Sequence, residues 1–195
     1  MEEIMQFVVV RHAEAEDYSQ GGDSERPLAP KGISRAGHLR EVLGKFGYPV
    51  DLILSSGAKR CKETGRIAAP EAPSILLGEL QNMATQEVDD RLAPLYGAVI
   101  GRGATLESFQ DHQDFGLWVQ QGRNAALKIE ATAVKSDAEL ILVVTHAPFV
   151  NVVAWALEGE RGNSPCLGPC PTYGTGFRIQ QGIKGMVHTF VFPGS

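Results

Sequence analysis

Hydrophobic residues along this chain form short unbroken runs, and stretches with helical spacing of apolar positions lie between them. The runs at residues 5–10 and 140–145 are almost entirely apolar, which is typical of parallel strands that are covered on both faces. Shorter apolar runs predict four further strands, at residues 52–54, 74–77, 176–179 and 186–192.

The helical stretches complete an alternation of strand and helix. They predict helices at residues 31–46, 58–68, 105–135 and 148–157. We expect the third helix to break near Gly116 or Gly122. The alternation favours an α/β fold, a three-layer α/β/α sandwich with a mostly parallel central sheet, as one domain over residues 1–195. The last strand is expected to lie at an edge of that sheet.

Three stretches lack this periodicity and are predicted to be long loops, at residues 17–30, 82–103 and 161–175. Long loops in a compact domain often carry function. We therefore expect these loops to determine which substrate or partner the protein recognises.

The composition excludes several classes of protein. Hydrophobic residues make up 43% of the chain and charged residues 21%, which is ordinary for a globular protein. The net charge of −5 indicates no basic surface for nucleic acid. No apolar run approaches the ~20 residues of a membrane span, and the acidic N-terminal segment is unlike a signal peptide. These features predict a cytoplasmic protein with no nucleic-acid or membrane partner, and they do not predict its oligomeric state.

Cys61, Cys166 and Cys170 are the only cysteines, and an odd number in a chain of this length argues against a disulfide framework. Cys166 and Cys170 offer two metal ligands, whereas zinc sites usually need three or four. No His or further Cys lies nearby in sequence, so an ordinary Pro- and Gly-rich loop is favoured and no metal is expected.

Ligands of open α/β sheets bind beyond the carboxyl ends of the parallel strands. Polar residues follow four predicted strands at this position: Arg11 and His12, then Ser55, Ser56 and Arg60, then Glu79, and finally His146. A single His or Arg in a loop is usually an ordinary surface or packing residue. The coincidence at four strand ends, which meet at one edge of a parallel sheet, predicts a common crevice.

These residue types suit phosphoryl chemistry. Two guanidinium groups match phosphate oxygens bidentately, and the start of the second predicted helix adds N–H donors. An imidazole beside two guanidinium groups has a lowered pKa, so it is neutral and nucleophilic near pH 7. A second His helps to stabilise the transferring phosphoryl group, and a carboxylic acid protonates the leaving oxygen.

The motifs "VVRHAEAE", "RPLAPKG", "LILSSGAKRCKET" and "ILVVTHAPFV", in this order, resemble those of the histidine phosphatase superfamily, also called phosphoglycerate mutase-like. The resemblance spans most of the chain and implies the phosphoglycerate mutase-like fold. Two positions depart from the usual motifs: Ala13 replaces a Gly and Gly57 replaces a Pro.

The resemblance also implies roles for individual residues. His12 matches the nucleophile that becomes phosphohistidine. Arg11, Arg60 and His146 match the phosphate pocket, to which the backbone N–H of Ala147 also contributes. Glu79 matches the family's proton donor, although the Gly-rich pattern that often flanks this donor is missing. Some short members use an Asp elsewhere, so Asp111 and Asp114 stay open as alternatives.

The implied activity is hydrolysis of a phosphomonoester or a phosphoprotein, without a cofactor or a metal. Two alternatives remain. A phosphoglycerate mutase-type phosphotransferase is less favoured, because mutases usually carry an Asn and a Trp where Asp17 and Tyr18 stand. A silent phosphate-binding module would be expected to lack the nucleophile or a clamp residue, and all of these are present. The physiological substrate is not predicted.

Overall fold

The computed structural model describes residues 5–17, 19–47, 49–81, 104–181 and 187–192. The loop predicted at residues 82–103 lies outside these residues, as does the first residue of the strand predicted at 186–192.

Six strands form one sheet in the order β3-β2-β4-β1-β5-β6. Strands β1 to β4 are mutually parallel, and β5 and β6 are added antiparallel beside β1. The mostly parallel sheet is therefore confirmed, and β6 lies at its edge as predicted. The strands are Met5–Arg11 (β1), Leu52–Ser55 (β2), Ser74–Leu76 (β3), Leu140–Thr145 (β4), Gly176–Gln181 (β5) and Val187–Phe192 (β6).

Four α-helices connect the strands: Pro30–Gly44 (α1), Lys59–Ala68 (α2), Phe115–Lys135 (α3) and Phe149–Leu157 (α4). Within the described ranges, no helix combines the length and the apolarity that crossing a membrane requires.

The helix predicted at residues 105–135 is wrong in its first part. A short 3-10 helix, Leu106–Phe109, is followed by a turn, and α3 then continues without interruption through Gly116 and Gly122. Gly122 serves packing, because a Cβ atom at this position would lie 2.6 Å from Cγ1 of Val152 on α4. The glycine thus allows close contact between two helices, and it does not break one.

Both faces of the sheet are covered, which explains the unbroken apolar runs. Phe7 and Val9 of β1 pack into the core beneath α3 and α4, whereas Val8 and Val10 pack into the core beneath α1 and α2. Successive side chains of a strand point to opposite faces, so a strand between two helical layers must be apolar at every position. The predicted three-layer α/β/α sandwich is confirmed.

The strand register places the carboxyl ends of the three central parallel strands at one level. Arg11 at the end of β1 lies opposite Thr145 at the end of β4. Val144 of β4 lies opposite Ser55 at the end of β2. The residues that follow these strands therefore emerge side by side.

Gly176 is required by the close approach of β5 to β1. A Cβ atom here would lie 1.8 Å from the carbonyl oxygen of Val9, which is part of a strand that cannot yield. We expect Gly176→Ala to lower the free energy of unfolding by about 3 kcal/mol, as overpacking of a rigid core does. Chemical denaturation measures the change.

Gly37→Ala is the matched control, because nothing lies within 4 Å of its missing Cβ. Gly37 is inside α1, where alanine should stabilise the helix by about 0.5–1 kcal/mol. Equal stabilities of the two variants would contradict the proposed contact between β5 and β1.

Candidate active site

Two histidines meet beyond the ends of β1 and β4. The backbone N–H of His12 donates to the carbonyl of Thr145 at 2.9 Å, which extends the strand pairing by one residue. The His12 and His146 rings lie 5.3 Å apart between centroids, at an interplanar angle of 66°. Arg60, in the first turn of α2, reaches both rings. The structure thus brings these three predicted residues together.

The hydrogen bonds of His12 assign its tautomer. Nδ1 lies 2.7 Å from the carbonyl oxygen of Ala13, which can only accept, so Nδ1 carries the proton. Nε2 accepts from Nε of Arg60 at 3.2 Å. The lone pair of Nε2 therefore faces the guanidinium group.

His146 has the opposite tautomer. Its Nδ1 lies 3.4 Å from Nη2 of Arg60, which can only donate, so Nδ1 is unprotonated. Its Nε2–H then donates to Oγ of Ser56 at 2.8 Å. Ser56 follows β2, so three parallel strands contribute to this one cluster.

Both imidazoles are held in the neutral form. Burial lowers the pKa of His12 to about 3, and the neighbouring His146, Arg60 and Arg11 add to the effect, against the hydrogen bond to Ala13. Burial and then Arg60 lower the pKa of His146 to about 4, against the partial compensation from Asp23. The positive charge of the site is therefore carried by the arginines.

Arg60 is bound by a residue that the sequence did not single out. Asp23 accepts from Nη1 through its carbonyl oxygen at 2.5 Å and from Nη2 through Oδ2 at 2.8 Å. Partial burial raises the pKa of Asp23, but hydrogen bonds from Arg26 and Arg60 outweigh it and leave the pKa lowered. The Nη1 and Nη2 donors of Arg60 are thus both bonded to Asp23.

Arg11 has an aromatic partner, Tyr173. The Arg11 Cζ atom lies 3.7 Å from the centroid of the Tyr173 ring. Its Nη1 donates weakly to the carbonyl of Pro171 at 3.4 Å, and its buried Nε has no hydrogen-bond partner among the described residues. Arg11 therefore keeps donors for a further ligand.

Thr64 connects the nucleophile region to α2. Its Oγ1 accepts from the backbone N–H of Ala13 at 3.0 Å and donates to the carbonyl of Arg60 at 2.7 Å. One buried hydroxyl thus couples the residue after His12 to the backbone of Arg60.

The candidate proton donors are not part of this cluster. Glu79 lies in the 3-10 turn Gly78–Leu80 after β3, with an exposed side chain. This turn is attached to the strand ends, because the Leu80 carbonyl accepts from Oγ1 of Thr145 at 2.9 Å. Asp111 is exposed before α3, and Asp114 is buried at the start of that helix.

Two further predicted positions lie in the described residues. Ala147, expected to donate its N–H, is buried directly after His146. Cys166 and Cys170 are free thiols, and burial raises their pKa values to about 12 and about 11, so neither is a thiolate. Across the described ranges, no three His, Cys, Asp or Glu side chains are grouped as metal ligands.

Sequence reasoning missed Asp23 and Tyr173. Both lie in predicted loops, at residues 17–30 and 161–175, and reach the site only through the folding of those loops. Tyr173 carried a usable signal, since it is the one aromatic residue in the Pro- and Gly-rich stretch at 161–175. No spacing rule distinguishes Asp23 from its acidic neighbours.

Sequence comparison agrees with this geometry. The profile of the histidine phosphatase superfamily (branch 1) matches residues 7–168. The chain belongs to this superfamily. In the motif that this sequence resembles, a proline is usual at the position of Gly57, and here the Gln81 amide would lie 2.6 Å from a Cβ atom at that position.

No curated protein matches the sequence of this chain significantly.

Solved structures of other histidine phosphatase-like proteins share the fold. A phosphoserine phosphatase from Entamoeba histolytica is similar with a TM-score of 0.67 and 14% identity, over 98% of each chain. Phosphoglycerate mutase from Bacillus anthracis gives 0.66 and 15%, over 97% of this chain and 93% of that one. Alpha-ribazole phosphatase from Shigella flexneri gives 0.62 and 20%, over 96% of each chain. At these identities the likeness shows the fold alone.

The lowered pKa values of the two site histidines predict their titration. Both imidazoles should stay neutral at pH 5, with the proton on Nδ1 of His12 and on Nε2 of His146. Histidine ¹⁵N–¹H correlation spectra measure both properties. In Arg60→Gln both pKa values should rise but stay below 6.5, because burial, the largest cause, remains.

The same shifts predict how stability depends on pH. As the pH falls below 6.5, these histidines take up protons in the unfolded chain before they do so in the folded one. The unfolded state then binds more protons, so the free energy of unfolding decreases from pH 6.5 toward about 4. A site histidine that titrates near 6.5 in the folded wild type would contradict both expectations.

Proposed function

We propose that this protein is a phosphatase that hydrolyses a phosphomonoester or a phosphoprotein through a covalent phosphohistidine on His12. The observation that carries the proposal is the state of Nε2 of His12. Nε2 is unprotonated and lies 3.2 Å from Nε of Arg60. The ring proton is on Nδ1, on the other side of the ring, where it is donated to the Ala13 carbonyl. A neutral imidazole aimed at a cation is poised to attack an anion bound there.

In the first step, Nε2 of His12 attacks phosphorus in line with the ester bond. The N–P bond forms as the P–O bond to the leaving group breaks, and the leaving oxygen takes the bond electrons together with a proton from an acid. The imidazole becomes positively charged in this step, and the Ala13 carbonyl at 2.7 Å from Nδ1 stabilises that charge. Water then attacks phosphorus and gives a proton to the carboxylate that acted as the acid, while the N–P bond breaks and its electrons return to Nε2, which releases inorganic phosphate and restores neutral His12.

Arg11 and Arg60 bind the non-bridging oxygens of the phosphoryl group during both steps. Nε of Arg11 supports this role, because it has no hydrogen-bond partner among the described residues and a buried guanidinium donor without an acceptor is costly. Arg60 must exchange its bonds to Asp23 for bonds to phosphate. His146 completes the pocket, together with the backbone N–H of Ala147.

Glu79 is the proposed proton donor. Its turn is joined to the end of β4 by the hydrogen bond between Leu80 and Thr145, and this attachment to the strand that precedes His146 supports the role. Asp23 is poorly suited to this role, because its two arginine partners keep it ionised.

The substrate is a phosphorylated small molecule or a phosphoprotein. The enzymes named in the structural comparison act on phosphoserine, phosphoglycerate and alpha-ribazole phosphate, and at these low identities none of those substrates transfers to this chain. No contact among the described residues favours a mutase-type phosphotransferase activity over hydrolysis.

Replacing the nucleophile tests the mechanism. His12→Ala should lower the hydrolysis of p-nitrophenyl phosphate in the presence of EDTA by at least about 10⁴-fold, because it removes the nitrogen that attacks phosphorus. The wild type should form an acid-labile phosphoprotein when quenched during turnover, and the variant should not.

His38→Asn is the matched control, because His38 is paired with Glu41 on α1 and lies outside the site cluster. It should retain wild-type activity. A near-normal rate for His12→Ala would exclude the phosphohistidine mechanism.

The proton donor is tested by the choice of leaving group. Glu79→Gln should slow hydrolysis of an alkyl phosphate by about 10²-fold and of p-nitrophenyl phosphate by much less, since nitrophenolate leaves without protonation. Asp111→Asn and Asp114→Asn are measured in parallel. Equal losses on both substrates would remove Glu79 from this role, and the same selective loss in an Asp variant would transfer it.

A further inference from the structure

We propose that Tyr173 is a positioning residue of the phosphate site, which holds Arg11 in place for the incoming phosphoryl group. The inference rests on the proposed function, since it concerns the same pocket. It goes beyond the sequence motifs, none of which includes Tyr173.

Tyr173 touches the two residues on which phosphate binding and attack depend. Its ring centroid lies 3.7 Å from Cζ of Arg11 and 5.7 Å from the centroid of the His12 ring, which is tilted by 48°. One aromatic side chain thus contacts both the arginine and the proposed nucleophile. Its half-buried position places it in the wall of the site.

The kind of contact explains why an aromatic residue is used. A cation–π interaction attracts the guanidinium group through the ring face and consumes none of its N–H donors. Arg60 differs, because the backbone carbonyl and the carboxylate of Asp23 accept from its Nη1 and Nη2. Tyr173 therefore fixes Arg11 while Nε of Arg11 stays without a hydrogen-bond partner in the part of the chain that the structure describes.

Tyr173 is itself held in place by contacts from two other segments. Its carbonyl accepts from Nη1 of Arg35 on α1 at 3.3 Å, and Nη2 of Arg35 pairs with Glu14 at 3.2 Å. The next residue, Gly174, donates its N–H to the Arg11 carbonyl at 3.0 Å and has a φ of 69°, which favours glycine. The backbone that carries the Tyr173 ring is therefore hydrogen-bonded to α1 and to the end of β1.

Ordering Arg11 in advance should strengthen phosphate binding. A free arginine loses rotamer entropy when it is fixed, and a residue that fixes it beforehand removes part of that cost from the binding step. We expect Tyr173→Leu to weaken the binding of inorganic phosphate about tenfold, the size of a partly buried cation–π contact.

The experiment measures phosphate affinity by titration calorimetry, so it does not depend on turnover. Tyr173→Leu should bind phosphate about tenfold more weakly than the wild type, and Tyr173→Phe, which keeps the ring, should recover most of the loss. In an Arg11→Ala background, Tyr173→Leu should have no further effect, because its action passes through Arg11.

Phe46→Leu is the matched control. Phe46 lies against Arg178 in the same kind of contact, 4.1 Å from ring centroid to Cζ, at the far end of α1. This variant should lose a comparable aromatic contact without loss of phosphate affinity. A loss equal to that of Tyr173→Leu would indicate a general effect of destabilisation and would overturn the proposal.

Three other results would also overturn it: wild-type affinity in Tyr173→Leu, an equal loss in Tyr173→Phe, or an undiminished effect without Arg11. The proposed phosphatase function can be contradicted by a result that leaves the inference about Tyr173 standing. A wild type that binds phosphate with this dependence on Tyr173, yet hydrolyses no phosphate ester, would leave the positioning role intact and exclude the phosphatase.

Discussion

The site depends on one guanidinium group that is shared between two imidazoles. Arg60 donates from Nε to His12 and from Nη2 to His146. Because a guanidinium group keeps its protons at any ordinary pH, each imidazole must turn an unprotonated nitrogen toward it. That requirement fixes both tautomers, and the remaining ring protons then need acceptors, which Ala13 and Ser56 provide.

The two arginines enter the reaction from different states. Asp23 neutralises Arg60 and bonds the same Nη atoms that a phosphate oxygen would need. Tyr173 partners Arg11 through its ring, which leaves the N–H donors of Arg11 available. A phosphoryl group can therefore bind Arg11 without displacing anything from its Nε, whereas binding to Arg60 requires Asp23 to move.

The sequence predicted what local and periodic constraints determine. Strands between two helical layers must be apolar throughout, so β1 and β4 were recognisable, and the residues after them had to meet because parallel strands end at one edge. Asp23 and Tyr173 were not predictable in this way, because Arg60 and Arg35 hold them across long sequence separations. The helix predicted at residues 105–135 failed since apolar spacing cannot distinguish a 3-10 turn from the first turn of an α-helix.

The partners of the two histidines also support the roles proposed for them. His12 donates Nδ1–H to a backbone carbonyl, which raises its pKa against the larger effect of burial and favours the positive ring that attack on phosphorus creates. His146 donates its proton to the hydroxyl of Ser56, which is a weaker acceptor than a backbone carbonyl. Two neutral imidazoles with lowered pKa values are therefore not equivalent. The one supported by a carbonyl is suited to become phosphorylated, and the other is suited to bind the phosphoryl oxygens beside it.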